Sequence, residues 1–180
     1  LATVEQLDAI TIEAWVKVQG WVNGGFALVD KHDAQNDNGW SLRLRSGGAV
    51  EFNPWSAVTC AAGIPTGTWA HVAVTWSKQS GKVRTYVNGV RRCESDYAGE
   101  LRSTATAPLN VGFSPSGTDM ASDGQIDELR VWNVARGEAD INAGMFASYS
   151  GGEAGLVAQF RFDDARALST SVQPGASQAT

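Results

Sequence analysis

Thr11-Ile12-Glu13-Ala14-Trp15-Val16-Lys17-Val18 alternates so that Ile12, Ala14, Val16 and Val18 share one face of an extended chain. A period of two residues marks a strand with one face buried. The runs Trp40 to Arg45, Ala49 to Asn53, His71 to Trp76, Lys82 to Val87 and Ile126 to Trp132 read as strands too, and Ala27-Leu28-Val29, Leu109 to Gly112 and Gly155 to Phe162 complete the set. Between them stand residues that reach positive φ cheaply. Ser46-Gly47-Gly48 and Ser80-Gly81 are turn sequences, and Asn88-Gly89 is the strongest short hairpin signal. With 20 glycines in 180 residues and almost no helical periodicity, the chain is predicted to be all-β, two antiparallel sheets packed face to face. The one helical stretch is Arg136 to Phe146, where Ile141, Met145 and Phe146 form a small apolar stripe. No internal repeat occurs. The Ser-, Ala-, Gln- and Thr-rich end sets one domain over 1–166 and a tail or linker over 167–180.

A hydrophobic content of 43% supplies one sizeable core. The charged fraction is 18%, the net charge is −5, and no Lys/Arg run forms the positive face that a phosphate backbone requires, so nucleic acid is excluded as a partner. Apolar stretches stay far short of the roughly 20 residues that cross a bilayer, and no membrane insertion is expected. The chain starts at Leu1 without a charged, then apolar, leader, and is expected to be a mature or excised segment. Cys60 and Cys93 lie outside any C-x-x-C arrangement. They are compatible with one disulfide between strand-like runs that a sheet places side by side, the other reading being two buried free thiols. A disulfide implies a secreted or cell-surface setting.

Four segments are more specific: Thr11 to Val16, Gly67-Thr68-Trp69-Ala70-His71-Val72-Ala73-Val74-Thr75-Trp76, Tyr86-Val87-Asn88-Gly89, and Gly124-Gln125-Ile126-Asp127-Glu128-Leu129-Arg130-Val131-Trp132-Asn133. In this order they closely resemble the motifs of laminin-G-like jelly rolls of the concanavalin A-like kind. The resemblance runs from near the start to about residue 146, and Gly155 to Asp163 looks like the family's closing strand. It implies a sandwich that hosts lectins, adhesion modules, accessory domains of polysaccharide enzymes and some hydrolases, so it speaks for fold more than for function. A looser similarity is to pentraxins. There His71 to Trp76 partly matches a signature, but Ala73 stands where pentraxins carry Cys. Asp37-Asn38 stands where the pentraxin calcium loop has its Asp-Asn pair, whereas Val111 to Asp123 is shorter than the later acidic cluster and offers Asp119 and Asp123.

Calcium takes several hard oxygen ligands from converging loops. Asp30, Asp33, Asp37 and Asn38 crowd one expected loop, and Asp119 and Asp123 crowd another. They read either as a calcium site or as ordinary loop residues. Asp127, a motif position, is a separate structural-calcium candidate or a turn cap. Of seven tryptophans, Trp15, Trp69, Trp76 and Trp132 fall on family motif positions and read as core or sheet-packing residues. Trp21, Trp40 and Trp55 are less easily placed there. Trp21 and Trp55 stand in Gly-, Asn- and Pro-bearing segments, where an indole could stack on a sugar while Asn23, Asn53 or His32 supplies hydrogen bonds. Ordinary packing is the alternative for each.

Catalysis finds little support, since Asp127 and Glu128 are adjacent on a strand and are expected to face opposite ways. No G-x-S-x-G, H-E-x-x-H or phosphate-binding Gly-rich loop occurs. The expected function is that of a calcium-assisted glycan- or polysaccharide-binding, lectin-like module of a secreted or cell-surface protein. Its rivals are an adhesion or scaffold domain that binds a cell-surface protein, and a polysaccharide-acting enzyme of the same fold.

Overall fold

A computed structural model describes residues 7–21, 25–33, 38–54, 56–102, 107–114 and 123–163. The strands are β1 (Ala9–Val18), β2 (Gly25–Asp33), β3 (Asn38–Arg45), β4 (Ala49–Asn53), β5 (Val58–Cys60), β6 (Ala70–Ser77), β7 (Lys82–Val87), β8 (Val90–Asp96), β9 (Asn110–Val111), β10 (Gly124–Trp132) and β11 (Leu156–Phe160), with one helix, α1 (Glu138–Gly144). They form a six-stranded sheet, β11-β10-β1-β6-β7-β8, and a five-stranded sheet, β5-β4-β3-β2-β9. All named pairings are antiparallel.

The alternation read in β1 holds. Ile10, Ile12, Ala14, Val16 and Val18 point into the sandwich, where they meet Val72, Val74 and Trp76 of β6, Leu129 and Val131 of β10, and Phe26, Leu28, Leu42, Leu44 and Phe52 of the second sheet. Burying each large apolar side chain contributes about 1.5–3 kcal/mol, which makes this the main source of stability. Trp40 belongs to the same cluster and is 2% exposed, so it is a packing residue. Between β7 and β8, Asn88 and Gly89 have φ of 52° and 75° and form the two-residue hairpin that the dipeptide predicts. The Asn88 side chain also accepts the His71 N–H at 2.9 Å, tying the hairpin to the start of β6.

Two expectations change. The second strand, which Ala27-Leu28-Val29 was expected to start, runs on to Asp33 and takes in Asp30, expected in a loop; Asp30 has partners inside the protein: Arg43 Nη2 at 3.2 Å, Ser114 Oγ at 2.7 Å and the His32 N–H at 2.9 Å. Asp30 is therefore a buried strand residue, not a loop ligand. The cysteines do form a disulfide, with Cα atoms 5.9 Å apart. It joins β5 and β8, the edge strands of two different sheets, so it staples the sandwich across its open side instead of pairing neighbours within a sheet. The tail over 167–180 lies outside the described residues.

Candidate functional site

Residues 13 to 15 of β1 are matched by 130 to 127 of β10: Glu13 pairs with Arg130 and Trp15 with Asp127, so β10 carries one extra residue. Glu128 sits in this bulge with φ of 48°. A bulge re-aims side chains, and here Asp127 and Glu128 both line one cleft on the outer face of the larger sheet, which corrects the expectation that they point apart.

The outer face is covered by the segment that follows β10. Arg130 holds the end of α1, donating from Nη1 to the Gly144 carbonyl at 3.0 Å and from Nη2 to the Ala147 carbonyl at 2.7 Å. A cation at a helix C-terminus satisfies carbonyls that lack helical partners and complements the dipole. The Trp15 indole N–H donates to the Met145 carbonyl at 2.9 Å. Gly144 permits this close approach, because a Cβ there would run into the Tyr149 hydroxyl and the Arg136 guanidinium.

Between this cover and the sheet opens a cleft of about 420 Å³. Trp15, Trp69 and Phe146 give it aromatic walls, Asp127 and Glu128 give it carboxylates, and Ser148 adds a hydroxyl. Trp69 is 42% exposed and Phe146 76% exposed. Trp15 packs on Phe146 with ring centroids 5.2 Å apart. Motif position thus misplaces Trp69: it precedes β6 and turns to solvent, while Trp76 is fully buried and Trp132 is buried beneath Tyr149 and Arg136. Phe146 does not join Ile141 in a buried stripe, because α1 ends at Gly144 and the chain turns outward.

Burial pushes the Asp127 carboxyl above its ordinary range, and the neighbouring Glu128 and Asp163 add repulsion, while the Glu128 N–H, 2.8 Å from Oδ1, draws it back. Glu128 is engaged by Arg130 Nη2 at 2.8 Å and Gln159 Nε2 at 3.5 Å. Beneath the cleft lies a buried charge cluster. Glu13 Oε1 accepts Arg136 Nη1 at 2.6 Å and the Trp132 indole N–H at 2.9 Å, with Arg130 Nη1 at 3.9 Å. His71 Nε2 is 3.8 Å from Glu13 Oε2, and burial lowers its pKa to about 4, with Arg130 and Arg136 acting in the same direction.

Other predicted positions fall elsewhere. Asn23, Asp37, Trp55 and Asp119 lie outside the described residues. Trp21 is half-buried against the core. Asn53 is half-buried in β4 opposite Ser41, and His32 is half-buried near the end of β2. None of these three lines the cleft. Asn38 opens β3, and Asp123 precedes β10, its carbonyl accepting the Gln19 N–H at 2.8 Å. Among the described residues no three of His, Cys, Asp and Glu come together in a group that could hold a metal, and Asp30 is committed to Arg43 and Ser114.

The family model described as the concanavalin A-like lectin/glucanases superfamily matches residues 2–142. The chain belongs to this superfamily. Among solved members of similar fold, a Bacteroides ovatus protein assigned provisionally to carbohydrate binding superposes with a TM-score of 0.75 at 21% identity, over 89% of this chain and 47% of its own. Domain 4 of an extracellular arabinanase from Geobacillus stearothermophilus, solved with arabinotriose, gives 0.61 at 20% identity, over 77% of this chain and 66% of its own. A pentraxin of Limulus polyphemus gives 0.56 at 17%, over 77% of this chain and 70% of its own. These likenesses establish the concanavalin A-like fold. In sequence, 83 residues are 29% identical to the sushi, von Willebrand factor type A, EGF and pentraxin domain-containing protein 1 of Rattus norvegicus. That match covers 46% of this chain and 2% of the rat protein.

Proposed function

We propose that the chain is a glycan-binding module of a secreted or cell-surface protein, and that the cleft of Trp15, Trp69 and Phe146 is its sugar site. The observation that carries this reading is the exposure of Trp69 and Phe146 at the mouth of a cleft that also holds Asp127 and Glu128. Sugars have apolar ring faces and hydroxyl edges, so aromatic walls with nearby acceptors match both. Large exposed aromatics that converge on one concavity mark an interaction surface. Solved proteins of this fold include one assigned provisionally to carbohydrate binding and one domain solved with arabinotriose, which supports the same class of ligand.

The reading is tested by a glycan array followed by calorimetry on the unaltered chain and on Trp69→Ala. A glycan bound by the first and lost by the second, at unchanged melting temperature, upholds it. No glycan bound, with capture of a cell-surface protein instead, returns the adhesion or scaffold reading. Release of reducing sugar from a polysaccharide would make the protein an enzyme. Binding is the better reading because Glu128, one of the two carboxylates, is engaged by Arg130 and Gln159.

Two further elements belong to the proposal. Trp21, Trp55, Asn53, His32 and Asn23 are a second candidate set of sugar-contacting residues, probed by Trp55→Ala on the same array. Calcium assistance would rest on Asp37, Asn38, Asp119 and Asp123, with Asp127 apart, and is probed by repeating the array with chelator. Loss of binding in chelator supports it and unchanged binding removes it.

A further inference from the structure

The charged groups among the described lining residues of the cleft are two carboxylates and one arginine that is already committed. Its side chains contribute the Asp127 and Glu128 carboxylates and the Ser148 hydroxyl. Among the described residues the one cation in its lining, Arg130, is 1% exposed and directs its two Nη groups to Glu128, Gly144 and Ala147. A ligand anion in the cleft therefore meets two carboxylates and, among the described lining residues, an arginine that is already engaged. Within the lining two carboxylates, Asp127 and Glu128, stand against one arginine, with Asp163 near Asp127 and the deeper Arg136 paired with Glu13. Among the described residues Asp127 Oδ2 accepts no hydrogen bond, since the Glu128 N–H goes to Oδ1. The aromatic faces have the same preference as the carboxylates, because a ring face is the negative end of its quadrupole and attracts cations.

Resting on the reading of the cleft as a sugar site, we propose that it selects glycans bearing a protonated amine, of the glucosamine type, over N-acetylated and acidic counterparts. Asp127 meets the ammonium and Trp69 stacks on the ring that carries it. The N-acetyl group removes the charge while leaving the ring face and most hydroxyls in place, so the two forms differ mainly in the feature the cleft discriminates. A uronic or sulfated sugar adds repulsion from Asp127 and Glu128. Asp127 must be ionised to attract the ammonium, so affinity for the amine form falls as pH drops through the raised Asp127 pKa, while affinity for the N-acetyl form changes little.

The experiment is calorimetric titration of the chain with a short β-linked glucosamine oligomer, its fully N-acetylated form, an oligogalacturonate and trilysine, at elevated salt to screen the protein's overall negative charge. The expected result is about tenfold tighter binding of the amine oligomer than of its N-acetyl form, the size of one partly desolvated cation–π and carboxylate contact. Asp127→Asn keeps the oxygen that caps the Glu128 N–H and is expected to bring that ratio near one. Trp69→Ala is expected to weaken both by about 5- to 150-fold. Equal or tighter binding of the N-acetyl form, or Trp69-dependent binding of the oligogalacturonate, would overturn the amine preference while keeping the sugar site. Binding of every oligosaccharide unaffected by Trp69→Ala would overturn the sugar site itself. Trilysine held as tightly as the amine oligomer, with the same Trp69 dependence, would leave an ammonium site with no role for the glycan.

Discussion

Arg136 Nη1 lies 2.6 Å from Glu13 Oε1, an ion pair that fastens the segment after β10 to the middle of β1 across 123 residues of sequence. Glu13 is fully buried, and burial pushes its carboxyl up while Arg136, Trp132 and Arg130 draw it down. Removing Arg136 would leave that carboxylate short of its nearest cation. Arg136→Ala is therefore expected to lower unfolding free energy in urea by about 3–5 kcal/mol, as for other broken buried pairs. Glu13→Gln, which removes the buried charge but keeps an acceptor for Trp132, should cost clearly less. If Arg136→Ala is no worse than Glu13→Gln, the pair does not hold the cover.

The Cys60–Cys93 bridge spans 33 residues and joins the free edges of both sheets. On the loop-entropy account, a closed loop of this size raises stability by about 3–4 kcal/mol, with the usual dependence on residual structure in the unfolded chain. The double variant Cys60→Ser/Cys93→Ser should unfold at correspondingly lower denaturant. Mass spectrometry of the unreduced protein should find no free thiol, and two free thiols would remove both the bond and the argument it lends to an extracellular setting.

His71 gives a pH dependence with a definite sign. Its folded pKa is lowered to about 4 from 6.5, so the unfolded chain binds the proton more readily. Stability from this residue is complete above pH 6.5, falls as pH drops, and levels off below about 4, a total change of about 3 kcal/mol at 1.36 kcal/mol per unit. Glu13 works in the other direction, because its raised pKa makes the folded state take up a proton first, and Arg130 and Arg136 face both groups. The clean measurement is the stability difference between the unaltered chain and His71→Gln across pH 7 to 4. A difference that stays flat would contradict the buried, neutral histidine.

Much of the sandwich was legible because its signals are local. Alternation in Thr11 to Val18 and the Asn88-Gly89 turn each depend on neighbours in sequence, and both appear where expected. Asp30 was misread because its partner Arg43 comes from the adjacent strand, and a buried ion pair cannot be inferred from either residue alone. The cleft was missed for a related reason. Adjacent carboxylates face apart on a regular strand, and only the mismatch between Glu13–Trp15 and Asp127–Arg130 puts Asp127 and Glu128 in one wall. One signal was available: Trp69 stands between the Gly67-Thr68 turn and the first buried residue of β6, so it falls outside the alternation that assigns Trp76 to the core.

Three tryptophans of the same motif set supply the last prediction, because they share a side chain and differ in surroundings. Trp76 is fully buried in the core, so Trp76→Ala should cost about 3–5 kcal/mol. Trp69 is 42% exposed at the cleft mouth, and Trp69→Ala should change stability by no more than about 0.5 kcal/mol while weakening glycan binding by about 1–3 kcal/mol, the worth of a lost aromatic anchor. Trp15 stands between them, since its ring faces the cleft and its N–H is bonded to the Met145 carbonyl. Trp15→Phe keeps an aromatic wall and deletes the hydrogen bond, so it should cost about 1 kcal/mol of stability. By loosening the turn that carries Phe146, it should also reduce affinity less than Trp69→Ala does. Denaturant unfolding and calorimetry on the same three variants give both quantities. A Trp69→Ala protein that loses stability but retains affinity would move that residue from the ligand surface to the packing of the sheet.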